Sequence, residues 1–315
     1  MPCPFSIDDS PFKSEDHIMV LNRSIAILGG DSRQLSLAKR LVKEGIQIRA
    51  YGLPQRDLSS SIEYFEDWKE AIKDISAVLL PLPASSDSKH LFLPLFDVSE
   101  GPLLKELFQS VGQNVVIAGG KFSPAVKACA KEYGVRLYDY FECEELQTKN
   151  ALPTAEGAIF ILMREIPRTV SGLSVAVTGF GRVAKALIKL LLAMGATVTV
   201  VARKHSDIEA AKALGCETVH LTGKEAMKTL ATGQSVIFNT VPHWLFGEEL
   251  LSEMSAETLI IDLASSPGGV DVNAAALHGI RVIWALSLPG KYAPVTAGEI
   301  IAESVLSHLR EEGVL

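Results

Sequence analysis

Short apolar runs alternate with amphipathic stretches along most of this chain, the pattern of strands feeding helices around a parallel sheet. In the first half, SIAILGG (Ser24 to Gly30), IQIRAYG (Ile46 to Gly52), AVLLPLP (Ala77 to Pro83), NVVIAGG (Asn114 to Gly120) and VRLYDY (Val135 to Tyr140) read as strands. Helices are predicted over Leu35 to Lys43, near Leu103 to Gln109 and over Pro124 to Glu132. The same rhythm returns in SVAVT from Ser174, TVTVVAR (Thr197 to Arg203), SVIFNTV (Ser235 to Val241), TLIIDLA (Thr258 to Ala264) and RVIWALSL (Arg281 to Leu288). Between the halves, NALPTAEGAIFILMREIP from Asn150 predicts a connecting helix with Thr154 as its cap, Glu156 in its first turn and Pro167 at its end. A last helix, over about Thr296 to Leu309, is expected to cross back to the first domain.

These elements predict an α/β protein of two Rossmann-like domains, each a parallel helix-flanked sheet, with a cleft between them. The expected division is a loose N-terminal tail at 1–22, a substrate-side domain at 23–150, a dinucleotide-binding domain with the connecting helix at 151–290, and a C-terminal helical segment at 291–315.

The strand from Ser174 runs into Gly179, Gly181 and Ala184, the G-x-G-x-x-A form of a dinucleotide fingerprint. Gly179 permits the strand-to-helix turn, Gly181 lets backbone N–H groups approach a pyrophosphate, and Ala184 lets the helix pack close to its strand. The following helix, RVAKALIKLLLAMG, begins at Arg182 and Val183 and has its apolar positions at helical spacing. About 20 residues past the glycines an NAD site places an acidic residue against the ribose. Here Arg203 and Lys204 occupy that place, with Ser206 close behind. Two cations suit a 2′-phosphate, so NADP is the expected cofactor.

Composition narrows the partners. With 315 residues, 48% hydrophobic and 21% charged, the chain is long enough for two buried cores. A net charge of −7 without a dense Lys/Arg run argues against a nucleic-acid or anionic-membrane surface. The most apolar run, ALIKLLLAMGATVTVV, is broken by Lys189 and Gly195, so no membrane span is expected. The first residues hold early acids and prolines without an apolar core, unlike a signal or transit peptide. Cys3, Cys129, Cys143 and Cys216 are far apart and form no C-x-x-C pair, which predicts free thiols in a reducing cytoplasm and no metal.

Three strand-end loops of the second half are dense in turn formers: NTVPHW from Asn239, DLASSPGG from Asp262 and LPGKYAPVTAG from Leu288. Asn239, Thr240 and Pro242 from the first, and Ser265, Pro267 and Gly268 from the second, complete the expected cofactor contacts.

GGDSRQ, NALPTAEGA, GFGRVA, the Ala202-Arg203 pair, NTVP, IDLASSPGG and LPGKYAPVTAG, in that order, resemble the family of the dipicolinate synthase A subunit from roughly Ile25 to the C-terminus. The PGG and LPG…AP.T loops are also similar to those of alanine dehydrogenase and transhydrogenase. The resemblance implies NADP-linked oxidation of dihydrodipicolinate to pyridine-2,6-dicarboxylate, fed from the lysine branch, in the mother-cell cytoplasm of a sporulating bacterium. It also implies a second protein, the flavoprotein-like B subunit of dipicolinate synthase, and a homo-oligomer is expected. Such a substrate carries two carboxylates, for which Arg33 is the first candidate, and loses a proton, for which Asp31 or Glu156 would serve as base. Asp31 also reads as a helix cap and Glu156 as a first-turn dipole partner, while His243 and Lys291 match no fixed family position. Two other readings stand beside this one: an NAD(P)-dependent dehydrogenase of a small amino or hydroxy acid, and a non-catalytic NADP-binding partner protein.

Overall fold

The structure, a computed structural model, describes residues 24–96, 101–112, 114–222 and 224–315; the expected tail at 1–22 lies outside them. The first half runs β1 (Ser24–Leu28), α1 (Ser32–Lys43), β2 (Gln47–Tyr51), β3 (Ile62–Tyr64), α2 (Trp68–Ala71), β4 (Ala77–Leu79), α3 (Leu104–Ser110), β5 (Val116–Gly119), α4 (Pro124–Glu132) and β6 (Leu137–Asp139). Helix α5 (Glu144–Glu165) leads into the second half: β7 (Ser174–Thr178), α6 (Arg182–Ala193), β8 (Thr197–Ala202), α7 (His205–Ala213), β9 (Glu217–His220), α8 (Lys224–Ala231) and β10 (Val236–Asn239). Then come α9 (Glu248–Leu251), β11 (Leu259–Asp262), α10 (Val272–Leu277), β12 (Arg281–Trp284), α11 (Leu288–Tyr292) and α12 (Pro294–Glu311).

Both halves form six-stranded sheets of the same order, β3-β2-β1-β4-β5-β6 and β9-β8-β7-β10-β11-β12. Every strand pair in them is parallel. This is the doubly wound Rossmann arrangement twice over, and in each sheet the chain reverses direction between its first and fourth strands, where ligands bind. The central strands are apolar on both sides because helices cover both faces. Ile25 and Ile27 pack toward α1 and α12, while Ala26 and Leu28 pack toward α3 and Trp68. In the second sheet Val175 and Val177 face α5 and α6, and Ala176 and Ile260 face α8 and α10. Edge strands β3 and β9 have no such continuous apolar run, and periodicity does not predict them.

The connecting helix differs from its expected start. α5 begins at Glu144 and carries Pro153 in its interior, where the ring supplies no N–H to the carbonyl four residues back. Thr154 therefore stands in mid-helix, its hydroxyl donating to the Asn150 carbonyl at 2.7 Å. The extra turns are built from good helix formers, with Glu144 and Glu145 at the positive end of the dipole. Lys149 bridges Glu145 at 2.7 Å and Glu303 of α12 at 2.6 Å. Helix α12 returns from the second sheet and lies on α1; a Cβ on Gly298 would run into the Arg33 carbonyl and Ser36, so that crossing needs a glycine.

Candidate functional site

The turn between β7 and α6 is shaped by two glycines with different duties. Gly179 has φ +88, and a Cβ there would stand 2.6 Å from the Thr240 hydroxyl, so both backbone and space demand glycine. Gly181, the α6 N-cap, has an ordinary φ of −76, and a Cβ added to it would meet nothing within 4 Å. Its lack of a side chain leaves open space at a helix N-terminus, where backbone N–H groups and the dipole favour an anion. That space belongs to a cavity of about 780 Å³. Residues 180–185, Lys204, Asp207 and Thr240 line one side of it, and Glu144, Gln147, Asn150, Ala151 and Thr154 of α5 the other. Arg182 spans the cavity wall, its guanidinium donating to Glu144 at 2.7 and 2.9 Å and to Gln147. A dinucleotide pyrophosphate fits this cradle.

At the end of β8, Arg203 and Lys204 are exposed and neither forms an ion pair among the described residues. Lys204 and the half-buried Asp207 both line the cavity without pairing. Ser206 is exposed on the first turn of α7.

Asn239, expected among the cofactor contacts, makes its hydrogen bonds within the protein. It is fully buried, its Oδ1 accepting from Thr178 Oγ1 at 2.6 Å and the Val241 N–H at 3.1 Å. Its Nδ2 donates to Asp262 Oδ1 at 2.8 Å and the Val241 carbonyl at 3.1 Å, so the amide is spent on the protein. Asp262 in turn accepts the Ala264 N–H at 3.0 Å and the Gly269 N–H at 2.9 Å. This network ties two loops to three strand ends and holds the cleft edge in shape. A signal for it exists in the sequence: Thr178, Asn239 and Asp262 close three apolar strands, and Asn239 is in register with both others. Pro242, Ser265 and Pro267 are exposed on those loops, and Gly268, at φ +86, is buried beside Asp262.

In the first half, Asp31 caps α1 through the Arg33 N–H at 3.0 Å and grips the Arg33 side chain, Nε to Oδ1 at 2.9 Å and NH2 to Oδ2 at 2.8 Å. Arg33 is 5% exposed and also donates to the Leu82 carbonyl. The pair lies under α11, because a Cβ on Gly290 would be 2.9 Å from Arg33 Nε and 3.1 Å from Asp31 Oδ2. Both carboxylate oxygens of Asp31 thus accept from Arg33, and three Arg33 side-chain donors go to Asp31 and Leu82. Glu156 lies apart from this pair. It is exposed on α5 and absent from the cavity wall, because two residues past Thr154 a helix has turned by about 200°. His243 and Lys291 are exposed. Beside the pair, Tyr140 is fully buried and donates to the Leu80 carbonyl at 2.9 Å, and burial pushes its hydroxyl pKa well above the usual range.

Among the described residues no helix is long and apolar enough to cross a membrane, and no group of His, Cys, Asp or Glu is placed to hold a metal.

Residues 24–141 match the family of the N-terminal domain of the dipicolinate synthase A subunit. Residues 154–278 match the NAD binding domain of D-isomer specific 2-hydroxyacid dehydrogenases. The chain is 31% identical over 297 residues to the dipicolinate synthase A subunit of Bacillus subtilis (strain 168), covering 93% of this chain and 98% of that protein. The crystal structure of the dipicolinate synthase A subunit from Bacillus halodurans superposes with a TM-score of 0.84 at 29% identity, over 91% of this chain and 98% of the other. Transhydrogenase from Sinorhizobium meliloti shares the fold, with a TM-score of 0.68 at 13% identity over 91% and 93% of the two chains.

Proposed function

Because this chain belongs to the family of the dipicolinate synthase A subunit, we propose that it oxidises dihydrodipicolinate to pyridine-2,6-dicarboxylate with NADP as acceptor. The observation that carries the reading is the relationship over both halves, since the first half separates this family from dehydrogenases that share only the cofactor domain. The cradle at Gly181 supports a nicotinamide dinucleotide, and Arg203 and Lys204, without ion pairs among the described residues, support its 2′-phosphate.

A bound nicotinamide ring supplies the hydride acceptor. The chain's residues supply placement. Gly179 and Gly181 would hold the pyrophosphate at the N-terminus of α6, and Arg182 fixes that helix to α5. The Thr178, Asn239 and Asp262 network holds the loops on the cofactor side of the cleft. Arg33 keeps a positive charge at the opposing edge, with Asp31 positioning it. Loss of a hydride and a proton makes the substrate ring aromatic, so alignment is the main demand on the protein. The sporulation role, the mother-cell cytoplasm and the need for the flavoprotein-like B subunit belong to the same reading.

The test supplies dihydrodipicolinate and NADP to the purified chain, with and without the B subunit, while NADPH and the ultraviolet absorbance of the aromatic product are followed together. Stoichiometric growth of both signals supports the reading. Binding of NADP without turnover in either mixture favours the non-catalytic role, and turnover of a small 2-hydroxy or amino acid in its place moves the chain to the other dehydrogenase class.

A further inference from the structure

Lys121 stands two residues past the end of β5, on the carboxyl edge of the first sheet, with φ +57. Side chains rarely adopt that region, and glycine is the residue it favours. Asp139 holds the turn from the end of β6, Oδ1 accepting the Lys121 N–H at 2.8 Å and Oδ2 the Phe122 N–H at 2.9 Å. The two preceding residues, Gly119 and Gly120, have no room for a Cβ; one on Gly120 would meet Leu82 at 2.6 Å and the Tyr140 ring at 2.7 Å. The strained position itself nevertheless carries a lysine. Strain kept where glycine would remove it points to a use for the side chain.

The Lys121 side chain is exposed and has no ion pair among the described residues, whereas Lys127, on the next helix, is paired with Glu142 at 2.6 Å. Its turn flanks the same strand end as Arg33. The Gly120 N–H donates to the Pro81 carbonyl at 3.0 Å and the Ala84 N–H to the Gly120 carbonyl at 2.9 Å, while Arg33 donates to Leu82 between them. On that edge Gln34 is fully buried, its amide a hydrogen-bond partner of the Tyr140 hydroxyl, and a Cβ on Gly30 would stand 2.6 Å from its Oε1. The edge therefore offers one cation without an ion-pair partner among the described residues, next to a guanidinium whose Nε and NH2 donors are taken by Asp31 and Leu82.

We propose that Lys121 receives a carboxylate of the small-molecule substrate, an assignment that rests on the dicarboxylate reading above and names its anchor. The test is calorimetric titration of the full chain with pyridine-2,6-dicarboxylate, and in parallel with pyruvate and L-alanine, with NADP present and absent. Lys121→Gly removes the cation while relaxing the backbone, so thermal stability should hold or rise and NADP affinity should stay the same. Dipicolinate affinity should fall at least about tenfold, and Lys121→Arg should recover most of it. Unchanged dipicolinate affinity in Lys121→Gly overturns the anchor and leaves the substrate reading standing. Binding of pyruvate or L-alanine alone, dependent on Lys121, keeps the anchor and removes the dihydrodipicolinate reading. A wild-type chain that binds none of the three acids overturns the anchor.

Discussion

A Cβ on Gly290 would stand 2.9 Å from Nε of Arg33, so the loop that leaves the second sheet rests directly on the guanidinium that stands over the first. Arg33 has little freedom to retreat, being held by Asp31 on one side and the Leu82 carbonyl on the other. Gly290→Ala should therefore destabilise the chain by about 1–3 kcal/mol through overpacking. Arg33→Ala should cost about 2–3 kcal/mol, below the full value for breaking a buried pair because Asp31 keeps some contact with water. Urea unfolding of both variants measures this. Native stability in Arg33→Ala would show that the seam is held elsewhere.

The two fingerprint glycines should respond in opposite ways. Gly179→Ala forces a left-handed φ on alanine and a clash with Thr240, at a cost of about 1–3 kcal/mol in the free protein. Gly181→Ala meets neither obstacle, so the free protein should unfold within about 0.5 kcal/mol of wild type. The new methyl group would instead occupy the space of the pyrophosphate, and dinucleotide affinity should drop at least tenfold, about 1.4 kcal/mol. Thermal melts with and without cofactor separate the two effects. Cofactor binding at full strength in Gly181→Ala would place the pyrophosphate elsewhere.

What the sequence makes legible follows the reach of each signal. The buried central strands announce themselves as apolar runs, and Gly179, Gly181 and Ala184 mark the dinucleotide turn because its geometry is local. The edge strands β3 and β9 escape because half-exposed segments of three and four residues carry too little periodicity. The expected cap of α5 falls too late because Thr154 after Pro153 reads as an N-cap, although the fold accommodates both inside the helix. The site residues are hardest. Asn239 and Arg33 are the right kinds of group for ligands, but their hydrogen bonds go to Thr178 and Asp262 in one case and to Asp31 and Leu82 in the other. Most of those partners are brought alongside by sheet register or by a neighbouring strand end. Lys121 carries no sequence flag, because its distinguishing feature is a backbone angle.

Cofactor choice turns on the end of β8, where Arg203 and Lys204 stand exposed and without an ion pair among the described residues, in the position that an acidic residue holds in an NAD site. A charge-assisted contact to a 2′-phosphate contributes about 1.5–3 kcal/mol, which corresponds to roughly ten- to 150-fold in affinity. Arg203→Ala should therefore weaken NADP by that range and leave NAD nearly unchanged, because NAD presents only a hydroxyl there. Lys204→Ala should act in the same direction and cost less, since an ammonium offers a point charge where a guanidinium offers a planar fork. Arg203→Asp should invert the preference by repelling the phosphate and accepting from the ribose hydroxyls. Fluorescence titrations of both reduced cofactors against the three variants measure the ratio. Parallel losses for the two cofactors in Arg203→Ala would mean that these cations serve the pyrophosphate or the surface, and NADP would lose its structural basis.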